Sequence, residues 1–259
     1  RGGSDASAIM IAKFFKAKKC VIYTDVIGVM TTDPRIYKKA KKIKIISYEE
    51  MLEMASLGSK VMQSSSVQEA RLYRIDIDVK SSFIKREGTL ITKRKNITNN
   101  KIITGISSTK NDAKVTLVGV KDKPGIAASI FKPLSENNIN VDMVVQNISA
   151  DGKETDLTFT IKLEDLNKTQ RLVKLNRKIK YKNLIIDKNV SKVSIIGVGM
   201  IATPGVTYRM FQTLSKKKIN ILVISTSEIK ISVLISKKNV KKAVSALHKE
   251  FKLDNWDEC

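Results

Sequence analysis

Two groups of residues in this chain have types and spacings that suit chemistry. The first lies near the start. Gly2 and Gly3 make a loop, and Ser4 or Asp5 can cap a helix expected over 5–18, which carries Ile9, Ala12 and Phe15 in helical spacing. Gly-rich backbone at a helix N-terminus presents free N–H groups to anions. Arg1 can fork a carboxylate, and Asp5 can hold an ammonium. Thr24 and Asp25 close the run CVIYTDV (20–26), read as a short buried strand, and open α/β sheets place ligands at the C-terminal ends of strands. Arg35, at the end of the polar loop TTDPR (31–35), and Lys60 can neutralise phosphates. Gly58-Ser59-Lys60 is not a P-loop, since no G-x-x-x-x-G-K-S/T contains it. Taken singly, each of these residues reads equally well as a cap or a surface charge.

The second group is duplicated. PGIAASIFKPLSENNINV, from Pro124, recurs 80 residues later as PGVTYRMFQTLSKKKINI, from Pro204, and each copy follows a β-rich run ending in Gly-Val. A fixed-period repeat means one supersecondary unit used twice. Pro124 fixes the start of the loop, and Gly125 permits close backbone approach. The helix behind it, expected over 125–137, offers the amides of Ile126 and Ala127 to a ligand carboxylate. Asp122, Asp142, Gln146 and Asn147 can satisfy an α-amino group or a side chain. The competing reading is that Pro and Gly only shape the turn and that Asp142 is an exposed strand residue.

The elements that must position these groups are legible in outline. Residues 1–92 read as α/β, with a helix in SYEEMLEMASLGSKVM (47–62) that Gly58 ends or interrupts, and a strand over 75–84. Ser47 and Glu50 have the spacing of a capping box, and Met51, Leu52, Met54 and Ala55 form the apolar face. KRKNITNNK (93–101) is the linker candidate. A first unit, 102–188, holds strands at 140–148 and 155–163 about an Asp151-Gly152 turn, a helix at 164–177 and a closing strand at 182–187. A second unit, 189–259, has EIKISVLI as its third strand and VKKAVSALHKEF as its last helix. No fourth strand is evident there, so 102–108 is expected to pair in its place.

Composition narrows the chemistry. The net charge of +23 raises a nucleic-acid reading, but lysine is spread over the whole chain and aromatics are only 5%, so solvated faces are the expectation and no nucleic-acid partner is assigned. No apolar run approaches the roughly 18 residues of a membrane helix, so no membrane partner is assigned. Cys20 and Cys259 at opposite ends make no disulfide framework, and a cytoplasmic setting is expected. With His248 as the single histidine, His-dependent triads and Cys/His zinc sites are excluded and no metal ligands are assigned. Because the chain starts at Arg1 in a loop, a missing N-terminal part is expected.

RGGSD, YTDVIGVMTTDPR and SYEEMLEMASLGSKV, in this order, resemble the C-terminal part of the aspartate kinase catalytic domain. The repeat resembles the paired regulatory ACT domains of those kinases, with DKPGIAASIF, VDMVVQN and ISTSEIKISV as the matching runs. The resemblance implies part of an amino-acid kinase α/β sandwich followed by two ferredoxin-like (βαββαβ) ACT domains. It implies transfer of phosphoryl from ATP, with Mg²⁺, to L-aspartate, giving 4-phospho-L-aspartate on the route to lysine, threonine and methionine. Arg1, Ser4 and Asp5 would face aspartate; Thr24, Asp25, Asp33, Arg35 and Lys60 would line the ATP pocket. Lysine, threonine or both would be effectors, and Ser225 and Thr226 would lie on the facing edge of the second unit, in a homodimer or larger oligomer paired through ACT domains. Met30 stands where the family usually has Tyr, and Ser64-Ser65 where it has Pro-Arg. The family's Lys-Phe-Gly-Gly motif is absent from these residues, so the chain alone is expected not to phosphorylate aspartate. The alternative is a non-catalytic regulatory subunit that binds amino acids.

Overall fold

The computed structural model describes residues 3–56, 61–93, 101–149, 152–176 and 178–256. Arg1, Gly58, Lys60, Asp151 and most of the 93–101 run lie outside them.

The first part is a four-stranded sheet carrying three helices. Its strands are β1 (Lys19–Thr24), β2 (Ile45–Ser47), β3 (Asp76–Ser81) and β4 (Thr89–Thr92), in the order β1-β3-β4-β2. β1 runs parallel to β3, and β2 parallel to β4. Only Ile22 of β1 is buried, and Val21 and Tyr23 are exposed. The expectation of a buried strand at 20–26 is therefore corrected to a sheet edge, whose outer side has no strand partner among the described residues.

Helix α1 (Gly3–Phe14) starts two residues early and stops four short of the expected span. Ser4 and Asp5 thus sit inside its first turn rather than capping it. The stop is a left-handed Lys16 (φ 53°), with Lys16 N–H bonding to the Lys13 carbonyl and Ala17 N–H to the Ala12 carbonyl. Glycine usually takes this place, because a Cβ costs about 1–2 kcal/mol there; no glycine marks the end in the sequence. Helix α2 (Tyr48–Ser56) begins with the expected capping box: Ser47 N–H donates to Glu50 Oε2 at 3.2 Å, and Glu50 N–H to Ser47 Oγ at 3.2 Å. A third helix, α3 (Ser64–Tyr73), was not expected; it starts where the sequence has serines and ends at left-handed Arg74.

The repeat builds one seven-stranded sheet. β6 (Asp112–Lys121), α4 (Ile126–Glu136), β7 (Val141–Ile148), β8 (Glu154–Lys162) and α5 (Leu166–Leu175) form the first unit with the start of β9 (Asn183–Ile196). The rest of β9, then α6 (Val206–Lys216), β10 (Ile221–Thr226), β11 (Lys230–Ser236) and α7 (Val240–Glu250), form the second. β9 runs unbroken through 188–189, pairing with β6 in its first half and β11 in its second. The expected stand-in strand is present: β5 (Gly105–Ser108) pairs antiparallel with residues 193–196 of β9. Each unit then has the ferredoxin-like order, fourth-first-third-second.

The cores divide differently from the sequence repeat. Leu117, Ile130, Leu134 and Phe159 fill a core that belongs to the first unit alone. The second unit shares one continuous core with the kinase-like part: Ile9, Met51, Met54 and Ile77 join Val193, Ile195, Val233, Leu247 and Trp256. Met51 and Met54, predicted as the apolar face of α2, are buried in it.

Candidate functional site

The loop 29–43 between β1 and β2 is the most firmly built part of the first candidate site. Ile43 N–H donates to the Val29 carbonyl and Thr31 N–H to the Lys41 carbonyl, both at 2.8 Å, closing the loop on itself. At its tip Arg35 grips Asp33 through Nε and Nη2, with Nη2–Oδ2 at 2.8 Å. The hydrogen bond from Arg35 leads in holding the Asp33 carboxyl below its usual range, and Lys110 adds to it. The Arg35 side chain is 74% exposed, so a cation is fixed by a carboxylate and still faces solvent. Asp33 and Arg35 are thereby brought together as one unit.

Thr24 ends β1 as expected, and its hydroxyl donates to Asp25 Oδ1 at 3.1 Å. Ser4 and Asp5 lie on the first turn of α1. Burial first, and then the Asp5 carboxylate, push the Cys20 thiol pKa up. Arg1 and Lys60 lie outside the described residues. Among the described residues no group of three or more His, Cys, Asp or Glu could hold a metal.

Residues that the sequence reading did not connect hold this loop in place. Thr31 is fully buried; its hydroxyl is 2.8 Å from His248 Nε2, and His248 Nδ1 is 2.9 Å from Asp254 Oδ1. The Tyr37 hydroxyl donates to the same carboxylate at 3.0 Å, and its ring lies 4.6 Å from the imidazole. Ile106 N–H of β5 donates to the Thr31 carbonyl. Glu50 does a similar service for α2. Beyond its capping box, Oε1 accepts from Thr104 Oγ1 at 2.6 Å and from Val198 N–H at 3.0 Å. Lys230 of β11 bonds Glu53 at 2.7 Å. The capping-box spacing flagged Glu50; nothing local in the sequence flags Val198 or His248 as partners.

In the repeat, Gly125 and Gly205 take φ +87° and +84°, and a Cβ added at either would meet nothing within 4 Å. Glycine is required there by the left-handed backbone, and the space in front stays open. The Ile126 amide is already bonded to the Lys123 carbonyl at 3.1 Å, which leaves Ala127 as the first predicted amide offered outward. Pro124 precedes this turn, and Asp122 beside it accepts a 3.5 Å contact from Gln146 Nε2. Asp142 does not join them. It stands four residues from Gln146 on β7, about 13 Å along a strand, and is ion-paired to Lys192 of β9. Burial raises its pKa, but the Lys192 ammonium outweighs this and holds the carboxyl below its usual range. Asn147 instead lines a cleft of about 300 Å³ between the units, with Val145, Thr158 and residues 221–224 of β10. Ser225 and Thr226 follow on β10 but do not line it.

Residues 1–81 match the amino acid kinase family, and residues 115–175 and 193–251 match the ACT domain. The aspartokinase of Helicobacter pylori is 49% identical over 258 residues, covering 98% of this chain and 63% of that protein. The chain therefore spans 63% of the length of this curated relative. E. coli aspartokinase III in complex with aspartate and ADP matches with a TM-score of 0.79 at 27% identity, over 96% of this chain and 56% of that one; its complex with lysine and aspartate gives the same score and identity. The regulatory subunit of aspartate kinase from Thermus thermophilus matches at 34% identity and a TM-score of 0.55, over 58% of this chain and 99% of its own.

Proposed function

The chain belongs to the aspartokinase family, and on that premise we propose that it carries part of the ATP and aspartate site joined to a feedback-sensing ACT pair. The observation that carries this reading is the exposed Arg35 fork on the closed 29–43 loop, in the segment that matches the kinase family. In the whole enzyme, the γ-phosphoryl group of ATP would pass to the side-chain carboxylate of L-aspartate. Arg1, Ser4 and Asp5 would hold aspartate, and Thr24, Asp25, Asp33, Arg35 and Lys60 the nucleotide. Such a transfer needs positioning and charge stabilisation rather than a protein nucleophile, which suits a site without histidine or cysteine. Mg²⁺ would arrive with the phosphates and neutralise their charge. A carboxylate such as Asp25 suits that ion, which typically keeps several waters, whereas both Asp33 oxygens are taken up by Arg35. The complete reaction is proposed for these residues together with those that make up the remaining length of the relatives.

Lysine, threonine or both would bind at the ACT pair, near the Pro124-Gly125 turn of the first unit and Ser225 and Thr226 on β10 of the second. The E. coli enzyme with lysine supports an amino-acid effector. Exposed Val144, Ile148, Leu222 and Ile224 on β7 and β10 support pairing with a second copy through these edges. A cytoplasmic setting is part of the proposal; no helix among the described residues is long and apolar enough to cross a membrane. A second reading, a non-catalytic regulatory subunit, is favoured by the likeness to the Thermus protein and opposed by the kinase-family match at 1–81.

Thermal unfolding of the chain with lysine, threonine, their mixture, Mg–ATP and aspartate tests the proposal. A ligand at 100 times its Kd adds about 2.7 kcal/mol of stability. A shift with lysine or threonine supports the feedback reading, and no shift with any amino acid removes it. A shift with Mg–ATP supports the partial kinase site; none leaves the regulatory-subunit reading in front.

A further inference from the structure

We propose that His248, on the last helix of the second ACT unit, is a positioning residue for the nucleotide loop, which it holds through a single directed hydrogen bond to Thr31. This rests on the reading of loop 29–43 as nucleotide-binding. The Thr31 hydroxyl is 217 positions away in sequence yet 2.8 Å from Nε2. The polarity of the chain of bonds is determined by its ends. The Asp254 carboxylate only accepts, so Nδ1 carries the hydrogen; in the neutral ring Nε2 is then the acceptor and takes the Thr31 hydroxyl hydrogen, while Lys41 N–H donates to Thr31 Oγ1 at 3.0 Å. Nδ1–H then donates to Asp254, which also accepts from Tyr37.

The neutral Nδ1–H tautomer satisfies every member. A proton on Nε2 would make it a second donor to the Thr31 oxygen and leave the hydroxyl hydrogen without this partner. The ring is fully buried, and burial holds its pKa below the ordinary 6.5 despite the opposing pull of Asp254, so the neutral state is the one present near neutral pH. The second ACT unit thus reaches the nucleotide loop by a contact whose geometry and protonation are both specified. Thr31 is four residues from Arg35, within the same closed loop.

Two variants separate the role from mere packing. In His248→Gln the amide reaches the Nε2 position and can still accept from Thr31. In His248→Asn it reaches only the Nδ1 position and keeps Asp254 alone. His248→Asn should speed amide exchange of Thr31 and Lys41 about tenfold, with His248→Gln within about twofold of the wild type. Thr31→Val, which leaves ring and carboxylate intact, should speed exchange of the amide at position 31, whose own acceptor is the Lys41 carbonyl, as His248→Asn does; Lys41 is not read in this variant because it loses its acceptor directly, and the test stays open if His248→Asn folds poorly. The nitrogen shifts of the sole imidazole should report Nδ1–H and an unprotonated Nε2. Mg–ATP binding, followed by the same exchange experiment, should weaken about tenfold in His248→Asn and little in His248→Gln. Equal loosening in both variants, no loosening in either, an Nε2–H tautomer, or a loosened loop with unchanged Mg–ATP affinity would each overturn the proposal. If the wild-type chain binds no Mg–ATP, the nucleotide reading fails and the positioning role with it, while the exchange and tautomer data still decide whether the anchor exists.

Discussion

Replacing Glu50 with alanine should loosen the kinase-like part from the second ACT unit and cost about 2–6 kcal/mol. Glu50 is 2% exposed and accepts from four donors: Ser47 N–H and Oγ, Thr104 Oγ1, and Val198 N–H. The two hydroxyls can rotate towards other acceptors. The two backbone N–H groups cannot, and each buried donor left without a partner costs about 1–3 kcal/mol. Glu50→Gln keeps the shape and one acceptor oxygen, so only the N–H that meets the new amide group is lost, about 1–3 kcal/mol. Urea unfolding followed by the fluorescence of Trp256, the single tryptophan and a member of the shared core, reads this directly. The first unit has its own core and serves as the internal control: exchange at Leu117 and Phe159 should not change. A loss below about 0.5 kcal/mol in Glu50→Ala would refute the reasoning, because it would lie within the range of ordinary surface substitutions. Equal loss of protection in the first unit would refute the division of cores.

Other outcomes follow from the same contacts. The folded chain keeps His248 below its ordinary pKa of 6.5, so the unfolded chain binds more protons below that pH. Stability should therefore be fully present above pH 6.5 and fall as pH drops through the window beneath it, and His248→Gln should flatten that part of the pH–stability curve. Asp142→Asn should cost about 1–2 kcal/mol, less than a fully buried pair because the carboxylate is 56% exposed while Lys192 is not; a neutral result in chemical denaturation would show that Lys192 finds another partner. Gly125→Ala and Gly205→Ala should each cost about 1–2 kcal/mol from the left-handed backbone alone, and their effects should add, since the turns lie in separate units.

How much of this was legible without coordinates differs from element to element. The Pro-Gly turns were, because a left-handed residue ahead of an amphipathic helix leaves a local signature, and it appears twice. The Ser47–Glu50 box and the apolar face of α2 were, because both are set by spacings of three and four residues. The stand-in strand at 102–108 was inferred from a missing partner in the second unit, and β5 fills it. The end of α1 was not, because a lysine takes the place where glycine is the usual mark. Helix α3 and the short strands β2 and β4 were missed because their apolar runs are too brief to show a period.

The amino-acid sequence by itself determined the repeat, the order of elements within it, the family, and the residues that could face a phosphate or an amino acid. Only the tertiary structure decided which faces meet. It gave the kinase-like part and the second unit one core, left the first unit a separate one, and gave Asp142 to Lys192 instead of to the Asp122–Gln146 pair. It joined Thr31 to His248 across 217 positions and Glu50 to Val198 across 148. The physical reason is the range of the signals. Periodicity and caps arise from neighbours a few residues apart and are written locally, whereas the pairing of two buried faces, and of the polar groups trapped between them, depends on how the whole chain packs.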